Sequence, residues 1–195
     1  MIVGITGGIG SGKTTLCNKL REAGYLVFDT DKVARDLQNH DPEVRQLIVD
    51  LFGSRAYVEN GLDRAYIASL VFKSPSLLQQ LNQIVHPAVR QKFEIWVKNN
   101  YLESLLFIES ALLFNSDLYK LVDKVVLVIA SEATRLKRVC ERDGVTEEQV
   151  KSRIVNQMSD SEMIKKSDFV IDTDKKQIHE LSVSIFIDYV NHFRK

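Results

Sequence analysis

The residues best placed to do chemistry stand at the start of the chain, in GITGGIGSGKTT, Gly4 to Thr15. Gly7 to Thr14 matches G-x-x-x-x-G-K-[ST] at every fixed position. Bare backbone N–H groups in a row at a helix start make a concavity for polyphosphate, and the helix dipole adds to the attraction. In such a loop Lys13 reaches the β- and γ-phosphates, and the hydroxyl of Thr14 ligates Mg²⁺. Gly8, Gly10, Ser11, Gly12, Lys13, Thr14 and Thr15 are therefore the predicted binding residues for a nucleoside triphosphate.

Further candidates follow along the chain. Asp29-Thr30-Asp31 ends a predicted strand, where a carboxylate can accept a proton from an attacking hydroxyl. The competing role for one of the pair is to cap a helix predicted from Lys32 to Leu37. Glu109 closes Leu105-Leu106-Phe107-Ile108, and an acid at a strand end can hold Mg²⁺ directly or through water. Arg138 and Arg142 are four apart, hence on one helical face, from which positive charge can stabilise a transferring phosphoryl group. His86-Pro87 reads as the opening of a helix to about Asn100, and His40, His179 and His192 have no evident partners.

These residues need a scaffold that gathers strand ends. Ile2 to Thr6, Tyr25 to Phe28, Leu105 to Glu109, Val125 to Ala130 and Phe169 to Ile171 read as five buried strands separated by helices. That alternation is the βαβ rhythm of a parallel α/β sheet, whose ligands collect at the carboxyl ends of the strands. Leu16 and Leu20 mark one face of a helix from Lys13 to Ala23, and Gly24 stands where such a helix ends. One interval breaks the rhythm. From roughly Lys32 to Lys98 several helix starts occur and no convincing strand: Asp41-Pro42, Ser74-Pro75, and Asp63 ahead of Arg64 to Phe72. A second excursion has Ser131 capping a basic helix with Arg135, Lys137, Arg138 and Arg142. After Gly144, Thr146-Glu147-Glu148-Gln149 has the form of a capping box.

Composition sets the bounds. The 195 residues suffice for one core carrying an insertion. Twenty-six basic side chains balance 26 acidic ones, so net charge points to neither a nucleic-acid nor a membrane partner. The longest clean apolar run, Val125 to Ala130, is too short to span a bilayer, and Gly4 and Gly7 interrupt anything resembling a leader. Cys17 and Cys140 lack metal-ligand spacing and read as free thiols, so a cytoplasmic enzyme is expected.

Nearly the whole chain resembles the dephospho-CoA kinase family. GITGGIGSGKTT looks like the family's opening and DTD like its acidic pair. GLDRAYIASLVF, Gly61 to Phe72, and LNQIVHPAVR, Leu81 to Arg90, are similar to two motifs of its helical CoA-binding insertion. ESALLFNS corresponds to its strand-end motif, and TRLKRVCERDGVTEEQVKSRIVNQ looks like its lid. The resemblance implies an α/β P-loop kinase with a five-stranded parallel sheet flanked by helices, a helical acceptor-binding insertion and a lid. It implies a core over residues 1–31 and 99–195, an insertion over 32–98 and a lid over 135–165. It implies ATP and Mg²⁺ as cofactors and dephospho-CoA as the partner, with Asp31 as base toward the ribose 3′-hydroxyl. Lys13 and Arg138 are then the catalytic cations, Arg142 supports Arg138, and Arg64 and His86 belong to the acceptor site. Thr14 and Glu109 are the implied metal residues. The chain departs from the family pattern at Ala111 and Asn115, at Arg135 where glutamine is common, and at Thr173 where asparagine is usual.

Two other readings meet obstacles in the sequence. Shikimate- and gluconate-type kinases share the acidic pair, but their small acceptors do not call for a seventy-residue helical insertion. A GTP-binding switch would need D-x-x-G after a strand, whereas Asp50-Leu51-Phe52-Gly53 falls inside the insertion, and no N-K-x-D occurs to read guanine.

Overall fold

In the computed structural model, which describes residues 1–175 together with residues 187, 188 and 190, strand β1 spans Ile2–Thr6 as expected. Helix α1, Lys13–Glu22, buries Leu16, Cys17 and Leu20. Gly24 follows it at φ 87°, and the N–H of Tyr25 donates to the carbonyl of Leu20 at 2.9 Å. That helix-terminating bond uses the amide of Tyr25, so β2 starts one residue later than expected, at Leu26–Asp29. Helix α2, Thr30–His40, begins immediately after it.

Next come α3, Pro42–Phe52, and a small antiparallel hairpin of β3, Tyr57–Val58, and β4, Gly61–Leu62. No strand was expected in this interval; two-residue strands are too short to show alternation in sequence. Helices α4, Arg64–Val71, and α5, Pro75–Asn99, complete the segment. Asp41, Asp63 and Ser74 cap α3, α4 and α5 with their side chains, as their positions predict.

The expected helix start at His86-Pro87 is corrected: both residues lie inside the 25-residue α5. Leu81, Val85, Val89 and Phe93 form an unbroken buried stripe along that helix, while Pro87 faces outward. The carbonyl that proline leaves without its helical donor therefore lies on the outer side, and packing carries the helix through.

Beyond α5 the chain forms β5, Leu106–Glu109; β6, Lys124–Ile129; α6, Glu132–Asp143; α7, Glu147–Val155; α8, Asp160–Lys166; and β7, Phe169–Asp172. Ser131 caps α6, and Thr146 with Gln149 forms the expected capping box of α7. The main sheet has strand order β2-β5-β1-β6-β7, with β1 parallel to both β5 and β6, and β6 parallel to β7. This is the α/β fold with a five-stranded parallel sheet.

Two compact units result: Met1–Phe28 with the chain from Glu103 onward, and Asp29–Leu102. The first is built on Val3, Ile5, Leu16, Leu20, Phe107, Val126 and Val128, all 1% exposed or less. The second buries Leu37, Val44, Ile48, Phe52, Ile67 and the α5 stripe. His179, His192 and most of the expected core beyond residue 175 lie outside the described residues.

Candidate nucleotide and acceptor sites

The loop between β1 and α1 is shaped by its glycines. Gly10 and Gly12 hold φ of 77° and 102°, in the left-handed region where side chains are strained, and Gly12 is the residue from which α1 starts. Gly8 answers a different need. A Cβ there would fall on the guanidinium of Arg135, so its bare backbone makes room for that group.

Lys13, only 9% exposed, donates from Nζ to the carbonyls of Gly7 and Gly8 at 2.6 and 3.1 Å. Its ammonium is thus held against the loop rather than left in solvent. In the first turn of α1, Thr14 Oγ1 donates to Glu109 Oε1 at 2.7 Å, which joins the helix start to the end of β5. Glu109 is 7% exposed, and Arg21 approaches its other oxygen at 3.4 Å. Beneath them the thiol of Cys17 is fully buried, and burial followed by the Glu109 charge pushes it well above the ordinary thiol range. Ser11 Oγ and Thr6 Oγ1 are buried and find no hydrogen-bond partner among the described residues. Two orphan hydroxyls at the mouth of a glycine loop suit a polyphosphate better than a sealed turn. Thr15 is exposed in the first turn of α1.

Arg138, on α6, donates to the carbonyls of Gly10 and Ser11 at 3.3 and 3.5 Å and to Thr173 Oγ1 at 2.9 Å. Thr173, following β7 and 3% exposed, passes its own proton to the carbonyl of Ser11 at 3.1 Å. The structure thus brings Lys13, Thr14, Glu109 and Arg138 together around one loop. Arg142 is turned elsewhere: it donates twice to its neighbour Asp143, at 2.7 and 3.0 Å, and holds that carboxyl below its usual range.

In the helical unit the DTD segment is split by a turn. Asp29 ends β2 and accepts from the backbone N–H of Lys32 at 2.9 Å, so it caps α2. Asp31 stands exposed in the first turn of α2, at the positive end of the helix dipole, where an anionic carboxylate is favoured. Asp31, Arg35 and Gln38 share a helical face by their spacing of four and three. Arg64, at the start of α4, donates to Gln38 Oε1 at 3.2 Å. Burial first, then the nearby positive charge of Arg35, lowers the proton affinity of Arg64. Asp31 and two arginines therefore belong to one side of this unit, and His86 sits half-buried in the middle of α5.

Three contributors were not singled out as site residues from the sequence. Arg35 could have been found by its spacing of four from Asp31. Arg135 and Gln157, which bond the phosphate loop from outside, lie within the lid-like segment, where neither was assigned a role at the site.

Known proteins resemble this chain over most of its length. The family model described as CoaE: Dephospho-CoA kinase matches residues 1–179. A dephospho-CoA kinase of Salinibacter ruber is 42% identical over 175 residues, covering 88% of this chain and 88% of that protein. The crystal structure of TT1252 from Thermus thermophilus superposes with a TM-score of 0.75 at 34% identity, covering 88% of this chain and 87% of that one. A dephospho-CoA kinase from Campylobacter jejuni has a TM-score of 0.62 at 25% identity over the same shares.

Proposed function

The chain belongs to the dephospho-CoA kinase family, whose reaction is ATP-dependent phosphorylation of dephospho-CoA to coenzyme A; from that premise we propose how its residues carry the reaction. The ribose 3′-hydroxyl oxygen forms a bond to the γ-phosphorus of ATP while the bond from that phosphorus to the β,γ-bridging oxygen breaks. Asp31 takes the hydroxyl proton, and ADP leaves. Lys13 spans the β- and γ-phosphates, and the loop amides from Gly8 to Thr15 cradle them. Arg138 neutralises charge on the transferred group, a role Arg142 does not share while Asp143 holds its guanidinium. Little covalent work is asked of the protein; positioning and charge supply the rate.

Thr14 and Glu109 offer hard oxygen donors 2.7 Å apart, a pairing that fits Mg²⁺. No cluster of three metal-ligating His, Cys, Asp or Glu side chains occurs among the described residues, so phosphate and water would complete the coordination. When bound, the ion supplies charge neutralisation on the β- and γ-oxygens.

The helical unit would take the acceptor through Arg64, His86 and Asp31, with Arg35 added on structural grounds. Arg35 and Arg64 are exposed cations on the Asp31 side of the unit, suited to the acceptor's phosphates. Residues 135–165 would act as a lid whose closure keeps out water, itself a competent phosphoryl acceptor. Two free cysteines fit a cytoplasmic setting, and among the described residues no helix is long and apolar enough to cross a membrane.

The observation that carries this reading is the buried Lys13 beside the Thr14–Glu109 pair at the end of β1 and β5. The test is a coupled ADP-release assay offering dephospho-CoA, shikimate, gluconate and nucleoside monophosphates in parallel. Release should accelerate with dephospho-CoA alone. Equal or greater acceleration by another acceptor would overturn the assignment of the acceptor residues.

A further inference from the structure

Ile9 stands at the apex of the phosphate loop, and every part of it is gripped from outside the loop. Its carbonyl accepts from Arg135 Nε at 2.9 Å. Its N–H donates to Gln157 Oε1 at 3.0 Å. Its side chain packs on the apolar cluster of Leu136, Val139 and Val150, which joins α6 to α7. The two gripping side chains also meet each other, since Arg135 Nη2 donates to Gln157 Oε1 at 3.2 Å. Gln157 Oε1 therefore accepts from both Ile9 and Arg135, which locks its amide in one orientation.

Arg135 is only 6% exposed, unusual for an arginine. A buried guanidinium is costly unless its donors are used. Here Nε and Nη2 are used on Ile9 and Gln157, while Nη1 lies 3.5 Å from both carboxylate oxygens of Asp160, a long approach to a partly exposed partner. Much of the positive charge is thus left beside Gly8, where the loop has no Cβ to keep it away.

We propose that Arg135 and Gln157 are positioning residues for the nucleotide. Together they fix the backbone on both sides of Ile9 so that the loop amides converge on the triphosphate, and they tie α6 and the segment between α7 and α8 to phosphate occupancy. The proposal rests on the loop being the ATP site. This chain holds its loop through a charged fork.

The test compares wild type with Arg135→Ala, Arg135→Lys, Gln157→Ala and the Arg135→Ala/Gln157→Ala pair. Each is checked for folding by circular dichroism, then measured for ATP binding by calorimetry and for steady-state kinetics. Each alanine variant should raise the Kd and KM for ATP about tenfold, as expected for losing a charge-assisted or buried hydrogen bond, with kcat and the KM of dephospho-CoA within about threefold. Arg135→Lys should not rescue, because one ammonium cannot serve Ile9, Gln157 and Asp160 in that fork geometry. The double variant should be little worse than either single one, since both act on one residue's backbone. Hydrogen exchange at the Ile9 amide should quicken in Gln157→Ala, a change that a distant packing role would not produce. If Arg135→Ala folds poorly, Gln157→Ala alone decides the matter. Unchanged ATP affinity in folded variants overturns the proposal, as does an equal rise in both substrates' KM or additive losses in the pair. Failure of the wild type to bind ATP would instead overturn the reading of the loop.

Discussion

The two units present their chemistry in opposite ways. In the sheet-based unit, Lys13 and Arg135 are buried and donate to backbone carbonyls of the loop, and buried Glu109 accepts from Thr14. In the helical unit, Asp31, Arg35 and Arg64 are exposed, and Arg64 donates to Gln38 Oε1. A triphosphate therefore meets groups already held in place, and little entropy is lost in ordering them. The proposed acceptor side instead carries its charged groups at the surface. Substitutions should divide along the same line. Changes in the first region should move ATP affinity and stability together, while changes in the second should alter turnover or acceptor affinity in a protein of unchanged stability.

The largest expected effect tests the second half of that division. Asp31→Asn removes the proposed proton acceptor and leaves the Asp29 cap of α2 in place. Turnover should fall by about 10²- to 10⁴-fold, the usual worth of a positioned general base, while ATP affinity and the melting temperature hold. Steady-state kinetics beside an ATP titration would show it. Wild-type turnover would reduce Asp31 to a favourable charge at a helix start.

Arg35→Ala and Arg64→Ala come next. Each should raise the KM for dephospho-CoA about tenfold, as loss of a charge-assisted hydrogen bond to phosphate would. Stability should hold or rise slightly, because burial first and then the charge of Arg35 disfavour the protonated form of Arg64. A fall in melting temperature with KM unchanged would make the pair structural and erase the contrast between the units.

How much of this was legible in the sequence depended on how local the signal was. The phosphate loop, the caps at Asp41, Asp63, Ser74 and Ser131, and the Thr146–Gln149 box all depend on residues within a few positions, and all formed. The five main strands were readable because each is a buried apolar run, with ends displaced by about a residue where a helix cap claimed a backbone group. His86-Pro87 misled because proline at a first turn is a local rule, whereas the stripe Leu81, Val85, Val89 and Phe93 carries the helix through by packing. Arg135 was illegible for the opposite reason. It looks like one more basic residue on a surface helix, and its burial follows from a bond to Ile9 across 126 residues. Helical spacing placed Arg138 and Arg142 on one face, but it could not tell that one would bond the loop and the other its neighbour Asp143.

The smallest effect reads the buried region through proton linkage. Cys17 lies beneath Glu109, and burial keeps its thiol neutral well past the pH at which a free thiol ionises. In the unfolded chain the same thiol loses its proton near the ordinary value of 9.0. Above that pH the folded state binds more protons than the unfolded state at this site, so stability falls as pH rises. The loss should be about 1 kcal/mol over the first pH unit above the unfolded value. Other groups titrate in the same range, so urea unfolding of the wild type must be set against Cys17→Ala, whose curve should be flatter by that amount. Parallel curves would mean that the thiol ionises in place and that the region under Glu109 is wetter than its burial indicates.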